Sequence, residues 1–138
     1  VYEYYDTGMS LKESFETVMD MPLTDRYIEN LRMEEKRILE ELEGKQPPHT
    51  PPRPVEMIKI KYPPSLKLQG IEGKVTVVFV VKKDGETAAF EIEDSPHPAF
   101  SQSVIDSIKQ WKFKPARNEE GKIVNARARI MIPFRIQE

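Results

Sequence analysis

The sequence predicts an α+β domain over residues 62–138, in which a three-stranded antiparallel sheet carries one helix on one face. Three hydrophobic patterns support this prediction. A run of β-branched and aromatic residues at 75–81 is followed by alternation with a period of two at 87–93, apolar residues repeat at about 3.6 in residues 100–111, and they alternate again in residues 126–136. Because strands have a period of two and helices a period of 3.6, the order is strand, strand, helix, strand. One sheet under one helix is the simplest packing that buries all of these stripes.

The first strand is predicted to be central in the sheet, because both of its faces are apolar. One face carries Val75, Val77, Phe79 and Val81, and the other carries Thr76, Val78 and Val80. Asp84-Gly85 then predicts a tight turn, since this dipeptide tolerates the positive φ that a hairpin requires. The following strand, Thr87 to Glu93, alternates between an apolar face and a mostly polar face. These two strands therefore form an antiparallel hairpin.

The helix and the last strand complete the predicted core. The helical stripe consists of Phe100, Val104, Ile108 and Trp111, and Pro115 prevents the helix from continuing. The inward positions of the last strand are Ala126, Ala128, Ile130, Ile132, Phe134 and Ile136. We expect a core in which Phe79, Ile108, Trp111, Ile130 and Phe134 pack together between sheet and helix.

Residues 1–44 are predicted to be an acidic helical extension. Their net charge is −7, whereas residues 45–138 carry +5, which together give the −2 of the whole chain. Leu11, Phe15, Val18 and Met19 suggest one or two amphipathic helical turns, and Thr24 caps a second helix that runs to about Glu43. Such a helix needs a partner surface, because isolated helices of this length are marginal. We expect it to dock onto the basic half or onto another copy of the chain, so a homodimer is one alternative.

Residues 45–61 are predicted to be a proline-rich linker. Five prolines fall within the nine residues Gln46–Pro54, and this composition favours an extended polyproline II spacer.

The sequence offers no catalytic, cofactor or metal site. Cysteine is absent, and His49 and His97 are flanked by prolines without a second histidine nearby. Glycine-rich phosphate loops and nucleophile elbows are also absent. The basic residues Arg127, Arg129 and Arg135 lack the surface aromatics that accompany nucleic-acid binding, so we expect no nucleic-acid partner. No apolar run approaches the ~20 residues that span a bilayer, and we interpret a chain that starts at Val1 as a soluble fragment or processed product.

A set of landmarks connects residues 62–138 with a known family. In order they are Tyr62-Pro63, Gly73, Asp84-Gly85, Ser95, Trp111-Lys112-Phe113, Pro115 and Gly121-Lys122. Their order and spacing resemble the C-terminal domain of the TonB family of energy transducers. Residues 1–44 resemble no family that we recognise.

The resemblance implies a mechanical coupler and not an enzyme. Similar domains lie in the Gram-negative periplasm, tethered to the inner membrane by a helix that associates with a proton-driven motor complex. They grip the TonB box, a short extended segment of TonB-dependent outer-membrane transporters, by strand addition to the last strand of the domain. The alternative is a TonB-like interaction or sensor module at the C-terminus of a membrane-anchored regulator, for example a metallopeptidase-type receptor. The sequence upstream of Val1 distinguishes these two functions.

The resemblance also implies which residues contact the partner. Those on the last strand are Asn125, Ala126, Arg127, Ala128, Arg129, Ile130 and Met131. Weaker secondary contacts are Lys67, Gln69 and Glu72. We expect the last strand to be a free sheet edge, because Pro133 is tolerated mainly on edge strands. Arg127 and Arg129 are expected to flank a bound peptide and to favour acidic residues in it.

Overall fold

The computed structural model describes residues 15–19, 29 and 31–136. Within these residues the elements are, in chain order, β1 (Phe15–Thr17), α1 (Met33–Leu42), β2 (Arg53–Glu56), α2 (Pro64–Leu68), β3 (Gly73–Val81), β4 (Thr87–Asp94), α3 (Pro98–Ile108), β5 (Lys112–Lys114), β6 (Ala116–Arg117), β7 (Ile123–Val124) and β8 (Ala126–Phe134). None of the helices in this part of the chain is long and apolar enough to cross a membrane.

The main sheet has the strand order β1-β8-β3-β4, and its described pairings are antiparallel. β3 lies inside the sheet, as its two apolar faces predict, and Val75 to Val81 are buried except for the half-buried Thr76. The three predicted strands and the helix on one face are confirmed. β1 is an additional fourth strand, which the sequence did not predict.

The β3–β4 hairpin turns at Gly85, which has a φ of +84°. Gly85 N–H donates to Lys82 O at 2.9 Å, and Gly85 O accepts from Phe113 N–H at 2.9 Å. A Cβ at this position would lie 2.4 Å from Phe113 O, so glycine is required both for the backbone angle and for the close approach of β5.

The principal core lies between the sheet and α3. Phe79, Ile108, Trp111, Ile130 and Phe134 belong to one buried cluster, as expected. The Phe100 and Phe134 rings stack with centroids 4.3 Å apart. The indole Nε1–H of Trp111 donates to Ile58 O at 2.8 Å, which ties the segment before α2 to the end of α3.

A second buried cluster covers the opposite face of the sheet. α1 contributes Leu39 and Leu42, which pack with Val80 and Ala89 of the β3–β4 hairpin. The register between β3 and β4 shifts near Ala89, whose φ is +52°, and the Ala89 N–H donates to Glu35 Oε2 at 2.5 Å. The expected docking of the acidic extension onto the rest of the chain is therefore confirmed for α1.

Three local predictions upstream of the domain differ from the structure. Phe15 lies in a strand and not in a helical turn, because residues 15–17 pair with β8. The second predicted helix is observed as Met33–Leu42, and its predicted start at Thr24 lies outside the described residues. The proline-rich segment is not a free spacer throughout, since Arg53–Glu56 form β2 and pair with β5.

Candidate functional site

The outer edge of β8 is the candidate site, and its hydrogen-bonding groups can be assigned to individual residues. β8 and β3 pair without a register shift from Ala126 to Phe134. On the other side of β8, Val18 N–H donates to Arg127 O at 2.9 Å. Because alternate residues of a strand point their N–H and C=O groups to opposite sides, Arg129, Met131 and Pro133 face outward like Arg127. We call these outward backbone groups the β8 edge.

Pro133 falls on this outward row, which explains how a proline fits into a strand of nine residues. Its missing N–H costs no hydrogen bond to β3, because the groups of Pro133 point away from β3. The same proline ends the row of outward donors, so Arg127, Arg129 and Met131 are the donors of the β8 edge.

The edge is not free along its whole length, so that expectation is wrong for the middle of β8. β1 pairs with it antiparallel, with Phe15 opposite Ile130, Glu16 opposite Arg129 and Thr17 opposite Ala128. An unpaired strand edge is a template for any extended segment that reaches it, and here a segment of the same chain reaches it first. The sequence places these partners more than 100 residues apart.

The β1 side chains make contacts on both faces of the sheet. Phe15 packs against the principal core, with its ring centroid 5.9 Å from that of Phe113 and 6.3 Å from that of Phe79. Met19, just after β1, is buried in the second cluster beside Leu39 and Leu42. The strand is therefore fixed at each end by apolar burial as well as by backbone pairing.

Arg129 lies between two carboxylates. Its Nε donates to Glu93 Oε1 at 2.5 Å and its Nη2 donates to Glu93 Oε2 at 3.2 Å, so this pair is bidentate. Its Nη1 donates to Glu16 Oε1 on β1. The hydrogen bonds to Glu93 and then to Glu16 raise the pKa of Arg129 further above its usual range. The guanidinium thus remains charged and binds an acidic residue on the added strand.

Arg127 does not have the role that the sequence suggested. Only 2% of its surface is exposed, and its Nη2 donates to Glu91 Oε2 at 3.1 Å. Burial raises the pKa of Glu91; Arg127 opposes this shift and Glu93 adds to it. Because the guanidinium of Arg127 is enclosed with Glu91, it does not flank an added strand as that of Arg129 does.

Of the remaining predicted residues of the last strand, Met131 directs its backbone groups outward, whereas Ala126, Ala128 and Ile130 direct theirs toward β3. Ala126, Ala128 and Ile130 are buried, and Met131 is half-buried. Asn125 precedes β8, and its Oδ1 accepts from Lys83 N–H at 2.8 Å, so this side chain holds the β3–β4 turn.

The three secondary candidates are not brought together with the middle of the edge. Lys67 lies in α2. Gln69 directly follows this helix, and its Nε2 donates to Ser65 O at 3.1 Å. Glu72 lies beside the end of the last strand, where its Oε2 accepts from Ile136 N–H at 2.8 Å. Glu72 also lines an open groove with Met131, Pro133 and Arg135.

Sequence reasoning missed Phe15, Glu16 and Glu93 as parts of the site. A strand of three residues has no measurable period, and nothing local links Glu16 or Glu93 to Arg129. His97 has a structural role: its Nδ1 accepts from Ala99 N–H at 3.0 Å and caps α3. Among the described residues, no group of three or more His, Asp or Glu side chains is arranged to hold a metal ion.

Comparisons with known proteins agree with this architecture. Residues 58–136 match the model of the family described as Gram-negative bacterial TonB protein C-terminal. Protein TonB of Pseudomonas aeruginosa is 33% identical over 87 residues, which are 62% of this chain and 25% of that protein. The chain therefore spans about a quarter of the length of this relative. The solution NMR structure of the Pseudomonas aeruginosa TonB C-terminal domain matches with a TM-score of 0.55 and 32% identity, over 63% of this chain and 88% of that one.

Proposed function

Because the chain belongs to the family of Gram-negative bacterial TonB C-terminal domains, we propose that it is a periplasmic energy-transduction domain. In this proposal it binds the TonB box of outer-membrane transporters by strand addition to the β8 edge. It transmits to them force from a proton-driven motor of the inner membrane, to which an anchor outside this sequence connects it. Its work is mechanical and requires no catalytic group.

The observation that carries this proposal is the pairing of β1 with β8. In this pairing the β8 edge holds an antiparallel strand of the same chain, with Val18 N–H bonded to Arg127 O at 2.9 Å, and this supports strand addition at the same edge. Main-chain hydrogen bonds provide affinity in strand addition, and they place few demands on the sequence of the peptide. A transporter segment in extended conformation satisfies the same backbone groups.

The geometry of the sheet also suits the transmission of force. β8 pairs with β3 over nine residues, and β3 pairs with β4 on its other side. A pull along a strand that is paired with β8 loads several parallel hydrogen bonds together. The force is then distributed through β8 into the buried sheet.

The secondary contacts remain part of the proposal. Glu72 lies near the end of the β8 edge and is exposed, so it is positioned to meet a partner that extends past Pro133. Lys67 and Gln69 lie on or after α2 and would contact the body of a transporter and not its extended segment.

Arg129 is the position at which backbone and side-chain contributions to binding can be separated. Arg129→Pro removes an outward N–H but leaves the hydrogen bonds between β8 and β3, because residue 129 faces away from β3. Arg129→Ala removes the charge and keeps the N–H. We expect Arg129→Pro to weaken binding of a transporter N-terminal peptide much more than Arg129→Ala does. Titrations of the full chain, followed by NMR, measure both affinities.

The same titration locates the bound peptide. We expect amide shifts along Asn125–Met131. Shifts confined to the Lys83–Glu93 hairpin would reject strand addition at β8, as would equal affinities of the proline and alanine variants.

A further inference from the structure

The β8 edge already holds a strand of its own chain, and this strand lies where the proposed function requires a partner peptide. The β1 pairing covers Ala128–Ile130, the middle of the residues offered to that peptide. Two strands cannot occupy one edge at the same register. Binding of a partner and pairing of β1 are therefore mutually exclusive over these residues.

We propose that Phe15–Thr17 is a resident ligand of the β8 edge, and that a partner binds by displacing it and by presenting the same pattern. This inference rests on the proposed function and adds to it a competitor and a specificity rule. The rule is an aromatic or large apolar residue opposite Ile130, followed by a carboxylate opposite Arg129.

The apolar half of the rule follows from the contacts of Phe15. Its ring packs beside two adjacent aromatic rings of the domain, with centroids 5.9 Å from Phe113 and 6.3 Å from Phe79. With Phe15 in place, only 4% of the surface of Phe113 is exposed. Removal of β1 would expose this aromatic surface, and a partner residue with a large apolar side chain would cover it again.

The acidic half of the rule follows from Arg129. This guanidinium is held in a fixed orientation by the bidentate pair with Glu93, and its Nη1 points to the carboxylate of β1. A preoriented guanidinium favours a carboxylate over a neutral or basic residue at the paired position. Glu16 is exposed, so this contact tunes selectivity more than it stabilises the fold.

The resident strand ends in a weak contact, which leaves room for a competitor. Arg127 N–H donates to Met19 Sδ at 3.4 Å, and a thioether is a weak acceptor. The carbonyl of an incoming peptide in that position is a stronger acceptor.

The test compares chains in which β1 is held or released. The probe is a synthetic peptide with the sequence of residues 11–22, blocked at both ends. β1 is released in two variants of the whole chain. The double variant Phe15→Ala/Val18→Pro loses the aromatic contact and the Val18 donor. Glu16→Lys replaces the ion pair with Arg129 by repulsion at an exposed position. Val18→Ala is the matched control, because it keeps the N–H. Thermal melting identifies any variant that does not fold.

A competitor that occupies a site about nine-tenths of the time weakens apparent binding about tenfold. We therefore expect the probe to bind the released chains about tenfold more tightly than the wild type or Val18→Ala. Amide exchange at Val18 should be slow in the wild type at any protein concentration. Amide exchange at Glu16, which pairs with Arg129, should be slow in the wild type and fast in the double variant, whose residue 18 has no amide proton. A probe peptide carrying Glu16→Lys should bind the double variant less tightly than the native probe.

Each contrary result has a distinct meaning. Equal affinity of the probe for wild type and released chains, with shifts along β8, overturns the resident-ligand inference and leaves the proposed function standing. Fast Val18 exchange in the wild type overturns the inference in the same way, and protection that rises with protein concentration assigns β1 to a second copy. Equal binding of the two probes overturns the carboxylate rule. Absence of binding along β8 in every chain overturns the proposed function itself.

Discussion

Trp111→Ala tests the placement of the core, and the loss of folding free energy that it should cause can be derived from the structure. The indole is fully buried between α3 and the sheet, and its Nε1–H donates to Ile58 O at 2.8 Å. Truncation of a buried tryptophan to alanine costs ~3–5 kcal/mol, because the side chain loses burial and leaves a cavity. The variant also loses the hydrogen bond from the indole Nε1–H to Ile58 O.

For a domain of this size, ~1 kcal/mol corresponds to a shift of ~4–8 °C in melting temperature. We therefore expect Trp111→Ala to melt at least ~12 °C below the wild type, or to be unfolded at room temperature. Thermal and urea denaturation followed by circular dichroism measure this difference. Leu68→Ala is the matched control, because Leu68 is 89% exposed and its truncation should change stability by less than ~0.5 kcal/mol. Equal melting temperatures of the two variants would refute the assignment of Trp111 to the core.

Two further predictions concern the turn and the buried ion pair. Gly85→Ala should destabilise the domain more than Gly121→Ala, because both glycines have positive φ but only a Cβ at Gly85 meets a backbone atom, Phe113 O at 2.4 Å; equal urea midpoints would contradict this close approach. Burial raises the pKa of Glu91 although the charge of Arg127 lowers it, so the folded state binds the carboxyl proton more tightly than the unfolded state does. The stability that this proton contributes is therefore lost as the pH rises from 4.5 through the raised pKa. Glu91→Gln stays neutral and should therefore gain stability relative to the wild type as the pH rises through this window; a pH-independent difference in urea denaturation would show that burial of the charge is not the cause.

The strands and the helix of the main domain follow directly from the sequence. β3 is apolar on both faces, β8 alternates on one, and Phe100, Val104 and Ile108 repeat at helical spacing. Each pattern is long enough to identify its period, and the turn at Asp84-Gly85 fixes which strands are neighbours. The order of landmarks over residues 62–138 was also sufficient to identify the family, which the comparisons confirm.

From Pro133 the sequence also predicts that β8 has an unpaired side at this residue. The direction in which its missing N–H points was not foreseeable. That depends on the register between β8 and β3, and register is a property of the pair and not of either strand alone.

The occupant of the edge was decided only by the tertiary structure. The spacing of Phe15, Val18 and Met19 fits a helical turn, and a segment this short takes its conformation from the surface that it meets. The burial of Arg127 has the same origin. Its position on an alternating strand predicts an exposed polar face, but the second cluster, formed by α1 and Met19, covers that face and encloses the guanidinium with Glu91. The sequence by itself determined the strands and the helix of the main domain, because hydrophobic periods are local. Which segment pairs with the β8 edge depends on contacts between residues more than 100 positions apart.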